Sequence, residues 1–404
     1  MADVSKACKG SKQAHKLVRA GTAPAALYGA CVTGLSDTQL YRLRVTASAG
    51  ISPRAQGRSL DVTLQLSGLD MIAKASGAPI VRWAREVWSA TGRRDKRALD
   101  VRVLREAWTS IGENPPIAWA QVADPIGAAM LSGRRLGWTM DSPFDWTTDE
   151  GIILKLGQDA PALVEWHVVQ AAQRLVERRV ALNCATEELR GRRANLGFIR
   201  RMLSSKAKDA MSTADKCALK VVAANGFWPR LRQAEAGYPV DPLCEKCDAG
   251  VPDTVHHRAW CCQWHEAVTR RMELAPPELV KEAQNQPDSA FFARAIRPHP
   301  ADVDKVVSQR QRTLFWRDGE PVADRAEWRM SGNIFYDGSC FRNKDPELST
   351  ATFAVVEVDD DGAARAVLRA TVSPEMPQTS QAAEHSGRLA AVQMLTGNAV
   401  LHGD

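Results

Sequence analysis

The chain has 404 residues, is 45% hydrophobic and 25% charged, and carries a formal net charge of +6. This composition excludes wholesale disorder, and the length suffices for two or three domains with their own cores. The longest apolar run, 23–35, is broken by Pro24, Gly29 and Gly34, so neither a signal peptide nor a membrane span is expected. The nine cysteines, four of them between positions 244 and 262, do not form a secreted disulfide framework. A reducing intracellular compartment, the cytoplasm or the nucleus, is therefore predicted.

Residues 1–235 are predicted to form a basic, mainly helical region, because apolar residues recur at steps of three and four. The clearest helix begins at Pro161 and continues to Arg179 with an arginine-rich outer face. The tryptophans of this region are predicted to fill the core rather than to stack on bases. Basic clusters indicate either a polyanionic partner or solvated helix faces; they are Arg82, Arg85, Arg93, Arg94, Lys96 and Arg97, then Arg192, Arg193, Arg200 and Arg201.

Residues 236–272 contain paired cysteines followed by paired histidines and a second cysteine pair. Cys244 and Cys247 form a CxxC turn, and His257 and Cys262 follow it five residues apart. This set suits tetrahedral zinc, Zn²⁺, in a small structural knuckle. His256 and Cys261 have the same spacing and are the competing ligand pair. Unbound thiols and surface histidines are the alternative without a metal.

Residues 273–330 are predicted to be a linker, and the pattern becomes that of β-strands in residues 331–404. Strands are expected over 334–336, 352–358 and 366–372, with a turn at 359–362. A helix is expected from Thr379 or Ser380 to about Thr396, with Gly397 as its stop, followed by a fourth strand over 399–402. The predicted fold class is therefore α+β and multidomain, with a mainly helical N-terminal region, a small zinc knuckle and a C-terminal α/β domain.

Three carboxylates of this last domain stand where acidic residues are locally unusual. Asp337 ends an apolar strand, Glu384 lies in an alanine-rich helix, and Asp404 follows the last apolar run. Singly, each is typical of a solvent-facing carboxylate. Together they are the oxygen ligands that two magnesium ions, on the order of 4 Å apart, need for phosphodiester chemistry.

The stretch Ile334-Phe335-Tyr336-Asp337-Gly338-Ser339 resembles the first strand of type 1 ribonuclease H, which ends in Asp-Gly-Ser. Thr379-Ser380-Gln381-Ala382-Ala383-Glu384 and Val400-Leu401-His402-Gly403-Asp404 are similar to its first helix and fourth strand. The resemblance implies that Asp337, Glu384 and Asp404 bind two Mg²⁺ ions. It also implies that the domain cuts the RNA strand of an RNA–DNA hybrid, recognised through the 2′-hydroxyl.

The family continues with further helices, a fifth strand and a fourth carboxylate, whereas this chain ends at Asp404. The resemblance therefore implies a truncated mixed sheet with one face uncovered. Low stability and reduced or absent nuclease activity are expected for the 404-residue chain.

The knuckle resembles the zinc-binding segment after the polymerase region of non-LTR retrotransposon reverse transcriptases, where an acidic residue and Thr precede the histidine. In that register, Cys244, Cys247, His257 and Cys262 are the ligands. Residues 24–30 and 40–44 are similar to the region just after the polymerase palm of these proteins. No paired-aspartate polymerase motif is present, so the chain is interpreted as a retroelement fragment that does not polymerise DNA.

Two functions remain open from the sequence. The first is a ribonuclease H that acts on RNA–DNA hybrids, without membrane association. The second is a non-catalytic nucleic-acid-binding protein that uses its arginine-rich helices and zinc knuckle. The oligomeric state is not predicted.

Overall fold

The computed structural model divides the chain into two compact units, Met1–His299 and Pro300–Asp404. Among the residues that the structure describes, no helix combines the length and the apolar character needed to cross a membrane. The described ranges are 16–51, 55–92, 99–112, 116–204, 211–300, 313–341, 349–373 and 376–403.

The first unit is mainly helical over its described residues, in agreement with the sequence pattern. Its α-helices are α1 Ala23–Ala26, α2 Ala30–Thr33, α3 Asp37–Ala49, α4 Leu60–Ser67, α5 Ile72–Gly92, α6 Val101–Gly112, α7 Pro125–Leu136, α8 Pro161–Cys184, α9 Gly197–Ser204, α10 Thr213–Ala223, α11 Arg230–Glu235, α12 His265–Leu274, α13 Pro277–Gln284 and α14 Ala290–Arg294. Short polar residues begin several of them. Ser36 and Gln39, for example, form a capping box at the start of α3.

The core of this unit lies where α5 packs against α7 and α8. Trp83, Trp108 and Trp146 are buried there, with ring centroids 5.9 Å and 6.3 Å apart along the series. Trp138 is also buried. These four tryptophans therefore fill the core, as predicted, because large aromatic rings gain most from removal from water. Trp88, for which the same was predicted, is 39% exposed.

The first unit also contains very short strands. They are β1 Thr139–Met140, β2 Asp145–Thr147, β3 Ile153–Lys155, β4 Ala194–Asn195 and β5 Arg297–Pro298. The first three form an antiparallel sheet in which Met140 pairs with Trp146 and Trp146 with Leu154. Strands of two or three residues are too short to show an alternating pattern, so they were not predicted.

The long helix predicted from Pro161 is α8, but its outer face carries fewer free arginines than expected. Arg174 is buried and donates to both carboxylate oxygens of Asp149, at 2.9 Å and 2.7 Å. Burial alone would raise the pKa of Asp149, but hydrogen bonds and charge from Arg174 and Arg178 lower it. Arg174 therefore stabilises the fold instead of facing solvent, whereas the Arg178 side chain is 47% exposed, as expected of the outer face.

The segment predicted as a linker, 273–330, contains regular structure that belongs to both units. Ala290 and Ile296 lie in the core of the first unit. Glu188 accepts hydrogen bonds from the backbone N–H groups of Ala290 and Phe291 and so caps α14. Further along, residues 313–317 form a strand of the second unit.

The second unit is a six-stranded mixed sheet with one long helix. Its elements are β6 Thr313–Arg317, β7 Glu320–Pro321, β8 Met330–Phe341, β9 Thr350–Val358, β10 Ala364–Thr371, α15 Ser380–Met394 and β11 Leu395–His402. The strand order is β11-β8-β9-β10-β6-β7. The β11–β8 pair is parallel and the other pairs are antiparallel. The coarse prediction of helices combined with a mixed sheet is confirmed.

Local signals explain these boundaries. Asp359 accepts from the N–H groups of Asp361 and Ala363, and Gly362 has a φ of +82°, which forms the predicted turn between β9 and β10. Thr379 accepts from the N–H of Ala382 at 3.1 Å and so caps α15.

The two faces of the sheet differ in exposure. Residues on the side of α15 are buried, including Ile334, Val355 and Leu368. On the opposite side Phe335 is 45% exposed and Val400 is 56% exposed. Among the described residues, this second face is therefore the more open one, and β11 forms the edge of the sheet.

Candidate metal centre and carboxylate site

The CxxC turn is held by backbone hydrogen bonds to the segment that follows it. The N–H of Cys244 donates to the carbonyl of Val251 at 2.9 Å, and Leu243 and Pro252 form a β-bridge. Cys244 and Cys247 therefore share a tight loop with their sulfur atoms on one side.

His257 and Cys262 join this loop from a single turn of π-helix, His257–Cys261. The Thr254 hydroxyl accepts from the N–H of His257 at 2.9 Å and caps the turn. The ligand atoms of Cys244, Cys247, His257 and Cys262 all lie within 4.8 Å of one another. The predicted ligand set is thus brought together.

The competing pair points elsewhere. His256 Nε2 lies 2.7 Å from the carbonyl oxygen of Ala283, and its Nδ1 lies 3.7 Å from Cys261 Sγ. The two histidines follow each other in sequence and point away from each other on the turn, so His256 and Cys261 lie outside the four-ligand cluster.

The distances fit a tetrahedral ion. Cys244 Sγ and Cys262 Sγ are 4.0 Å apart, and Cys247 Sγ is 3.4 Å from His257 Nε2. A zinc ion with zinc–sulfur bonds of about 2.3 Å requires sulfur–sulfur edges of about 3.8 Å and sulfur–nitrogen edges of about 3.6 Å. These two distances match a tetrahedral site, and all four ligand atoms lie within 4.8 Å of one another, so the cluster could bind zinc.

Electrostatics favour the deprotonated state at two of the ligands. Hydrogen bonds lower the pKa of the Cys247 thiol, and the largest effect comes from the backbone N–H of Ala249. Burial lowers the pKa of His257, which keeps its imidazole neutral. Burial raises the pKa of Cys262, so zinc binding must release this proton.

An ion pair between the fully buried Asp253 and the partly exposed Arg258 supports the cluster. Arg258 Nε and Nη2 donate to the two carboxylate oxygens of Asp253, both at 2.5 Å, and the Arg230 N–H donates to the same carboxylate at 2.7 Å. Burial alone would raise the pKa of Asp253, but these hydrogen bonds and the charge of Arg258 lower it. The acidic residue before the histidine thus orients the π-turn, a role for Arg230 and Arg258 that the sequence did not reveal.

We expect Cys262→Ser and His257→Gln to abolish zinc binding, whereas Cys261→Ser and His256→Gln retain about one zinc per chain. Cys261→Ser is the control for Cys262→Ser, and His256→Gln is the control for His257→Gln. Each control removes the same type of side chain at the position just before the ligand. Zinc released by denaturation in the presence of a chromogenic chelator measures the stoichiometry. Loss of zinc from all four variants, or from none, would contradict this ligand assignment.

The predicted carboxylate site lies in the second unit. Asp337 is exposed on β8, where it pairs with Ala354, and Glu384 is exposed in the first turns of α15. Among the described residues, neither carboxylate has an ion-pair partner, and the N–H of Gly338 donates to Asp337 Oδ1 at 2.8 Å. Asp404, the third predicted ligand, lies outside the described residues.

Two glycines bring these elements close together. A Cβ atom on Gly338 would lie 2.3 Å from the backbone nitrogen of Glu384, so the peptide after Asp337 lies directly against the start of α15. Gly403 lies against the ring of Tyr336, the residue before Asp337. The two neighbours of Asp337 therefore make different contacts: the Gly338 backbone lies against the helix that carries Glu384, and the Tyr336 ring lies against Gly403, the residue after β11.

Several predicted basic residues are ion-paired. Arg82 lies 2.5 Å from Glu86, Arg85 lies 3.8 Å from Glu165, and Arg200 lies 3.7 Å from Glu177. Arg93, Arg94, Lys96 and Arg97 lie outside the described residues. These pairs reduce the charge that the described clusters offer to a polyanion.

Comparison of the chain with protein-family models, with curated proteins and with solved structures finds no match. Its function is therefore inferred from its residues and their arrangement.

Proposed function

We propose that the C-terminal unit is a domain of the type 1 ribonuclease H kind, which hydrolyses the RNA strand of RNA–DNA hybrids. The observation that carries this proposal is the strand order β11-β8-β9-β10, with β11 parallel to β8 and α15 as the connection between β10 and β11. The resemblance to type 1 ribonuclease H implies this arrangement: three consecutive antiparallel strands, then a helix, then a fourth strand beside the first. The Asp-Gly-Ser motif supports it from the sequence.

The residues that would hold magnesium are Asp337, Glu384 and Asp404. Asp337 and Glu384 are exposed and have no ion-pair partner among the described residues, and carboxylates are the ligands that a hard cation prefers. Gly338 contacts the start of α15, whereas Asp337 lies on the other side of β8, with Phe335. Bound magnesium supplies an activated water and stabilises the departing 3′ oxygen. The chain itself contributes the positions of the carboxylates: β8 holds Asp337, and the second turn of α15, after its Thr379 cap, holds Glu384.

The Cys/His cluster has a structural role in this proposal. Cys244, Cys247, His257 and Cys262 would bind one zinc ion that ties the CxxC loop to the π-turn. No residue of α12, which follows, is buried, so this part of the chain has little core of its own. Zinc binding is then the main source of local stability.

Manganese, which replaces magnesium and is visible by electron paramagnetic resonance, tests the carboxylate site in the zinc-loaded 404-residue chain. We expect Asp337→Asn and Glu384→Gln each to weaken manganese binding by about tenfold or more, because each removes one charged ligand. Asp360→Asn, an exposed acid in the β9–β10 turn, is the matched control and should bind as the original chain does.

Cleavage of a hybrid labelled on its RNA strand is measured with the same proteins. The proposal is supported if the original chain and Asp360→Asn cleave the hybrid slowly in the presence of magnesium. Asp337→Asn and Glu384→Gln should show no cleavage. Equal manganese binding by all four proteins refutes the site. Hybrid binding that persists without cleavage or manganese dependence would favour the non-catalytic nucleic-acid-binding alternative.

A further inference from the structure

The net positive charge of the chain is concentrated in three stretches of the first unit. Residues 187–204, 211–220 and 288–299 contain nine lysines and arginines against four aspartates and glutamates. The whole chain contains 53 of the first kind and 47 of the second, so its other residues are almost neutral. Nearly all of the net charge of +6 therefore comes from these three stretches.

The three stretches are neighbours in the fold. Strand β4 pairs with β5, with Asn195 opposite Arg297. Helix α10 packs against both α9 and α14, and Arg294 of α14 donates to the carbonyl of Ala223, at the end of α10, at 2.9 Å. Glu188, in the first stretch, caps α14 in the third. Together the three stretches form a region that we call the basic surface.

The acidic residues around the basic surface compensate only part of its charge. Glu187 lies 2.8 Å from Arg190. Glu177 of α8, outside the three stretches, lies 3.7 Å from Arg200. When Glu177 and all four acidic residues of the basic surface are counted against its nine cations, a surplus of four positive charges remains. The basic surface therefore favours an anionic partner.

Two exposed arginines of this surface have N–H groups available for an anion. The guanidinium carbon of Arg297 lies 3.7 Å from the centroid of the Phe291 ring and 5.8 Å from that of Phe198. The rings cover the face of this guanidinium and leave its edge, which carries the donors, open. Arg192 Nη1 donates to the backbone carbonyl of Glu188 at 3.3 Å. Among the described residues, neither arginine forms an ion pair.

The two arginines lie at separate points of one strand pair. Arg192 precedes Asn195, the partner of Arg297, by three residues, which is at most about 11 Å of chain. The carbonyl of Arg193, the next residue, accepts from the N–H of His299 at 2.7 Å, so the pairing extends towards Arg192. This arrangement favours a partner that repeats its negative charge over a single small anion.

The basic surface has little apolar area for a protein partner. Among the described residues of its three stretches, no large hydrophobic side chain is exposed. Specific protein interfaces depend on aromatic or aliphatic anchors, whereas interfaces with nucleic acids are more polar and much more positively charged. Unpaired bases need exposed aromatic rings on which to stack. The surface therefore suits a nucleic-acid duplex better than a protein or a single strand.

We propose that the basic surface binds the phosphate backbone of a nucleic-acid duplex without reading its base sequence. Arg192 and Arg297 contact phosphates, and the other cations of the surface attract the duplex. This binding belongs to the first unit and requires neither magnesium nor the carboxylates of the nuclease site proposed for the second.

The test uses a fluorescein-labelled DNA duplex of about 20 base pairs and the zinc-loaded full chain, without magnesium. An all-DNA duplex is not a substrate of the proposed nuclease, so failure of this proposal and failure of the nuclease proposal are distinguishable. Fluorescence anisotropy at about 50–200 mM sodium chloride gives the Kd and its salt dependence. Each phosphate contact contributes about 0.9 to the slope of log K against log salt concentration.

Paired variants identify the surface. Arg192→Gln combined with Arg297→Gln should lower the slope by about 2 and weaken binding about tenfold or more at low salt. Arg19→Gln combined with Arg42→Gln removes the same charge from exposed arginines outside the basic surface and should leave the slope unchanged. Arg297→Lys keeps the charge and should retain the slope. Zinc content and far-ultraviolet circular dichroism verify that each variant is folded.

Equal slopes for the two double variants would overturn the proposal, because the net charge of the whole chain would then account for binding. Tighter binding of an oligothymidine of the same length than of the duplex would also overturn it, because the site would then take single strands. A third contrary result is binding to phosphatidylserine vesicles that is lost in Arg192→Gln with Arg297→Gln while duplex binding is kept. The surface would then bind a membrane.

Discussion

Replacing Gly338 by alanine is expected to reduce the free energy of unfolding of the C-terminal unit by about 3 kcal/mol. The added Cβ would lie 2.3 Å from the nitrogen of Glu384 and 2.4 Å from the carbonyl carbon of Ala383. Both are backbone atoms of α15, so no side-chain rotation relieves the clash and the helix must move away from β8. Because Gly338 follows Asp337 and lies against the backbone of Glu384, movement of α15 should also weaken manganese binding.

Gly387→Ala is the matched control, since Gly387 lies in the same helix on the same interface. A Cβ there would meet Phe353 at 3.4 Å, an ordinary contact, and alanine is a better helix former than glycine by about 0.5–1 kcal/mol. This variant should therefore be as stable as the original chain or slightly more stable.

Hydrogen exchange followed by mass spectrometry distinguishes the two units, because it reports on peptides from β8 and β9 separately from those of the first unit. Faster exchange in β8 for Gly338→Ala only, with the first unit unchanged, is the expected result. Unchanged exchange in that variant would mean that α15 does not pack on β8 as described.

Replacing Arg44 by alanine is expected to destabilise the N-terminal unit by about 3–5 kcal/mol. Arg44 Nη2 lies 2.6 Å from Asp61 and 2.8 Å from Asp70, and all three side chains are at most 12% exposed. Burial alone would lower the pKa of Arg44, but the charges and hydrogen bonds of the two aspartates raise it. Without the guanidinium, two buried carboxylates repel each other across the α3–α4 contact.

Arg42→Ala, two residues earlier on the exposed side of α3, should change stability by less than about 0.5 kcal/mol. Combining Arg44→Leu with Asp61→Asn and Asp70→Asn removes every charge of the group and should recover much of the loss. Urea unfolding followed by circular dichroism measures all four proteins. If Arg44→Ala and Arg42→Ala had equal effects, the ion pairs would not stabilise the fold.

The sequence by itself determined much of the C-terminal unit. Alternating β-branched residues identified β9 and β10, and Thr379 capped the helix where the pattern indicated. Such signals depend on residues that are close in sequence, so they can be recognised without knowing how the rest of the chain folds. The extent of β8 was underestimated, because the Asp-Gly-Ser stretch has low strand propensity and is held in the strand by pairing with β9 as far as Phe341 and Thr350.

The ligand set of the Cys/His cluster required the tertiary structure. Two histidine–cysteine pairs have the same spacing of five residues, and spacing alone leaves both possible. A contact distant in sequence separates them: the carbonyl of Ala283, 27 residues away, lies against His256. The local Asp253–Arg258 pair holds the turn that presents His257 to the cysteines.

The burial of charged side chains was also decided by the tertiary structure. The periodicity of α8 indicated an arginine-rich outer face, yet the turn after β2 brings Asp149 to Arg174 and this pair is buried. Periodicity reports how apolar residues are distributed along one helix, but not which neighbour will cover the polar side of that helix. Sequence pattern therefore determined the elements and the types of candidate ligand, whereas packing between distant segments decided which ligands meet and which charges lose contact with water.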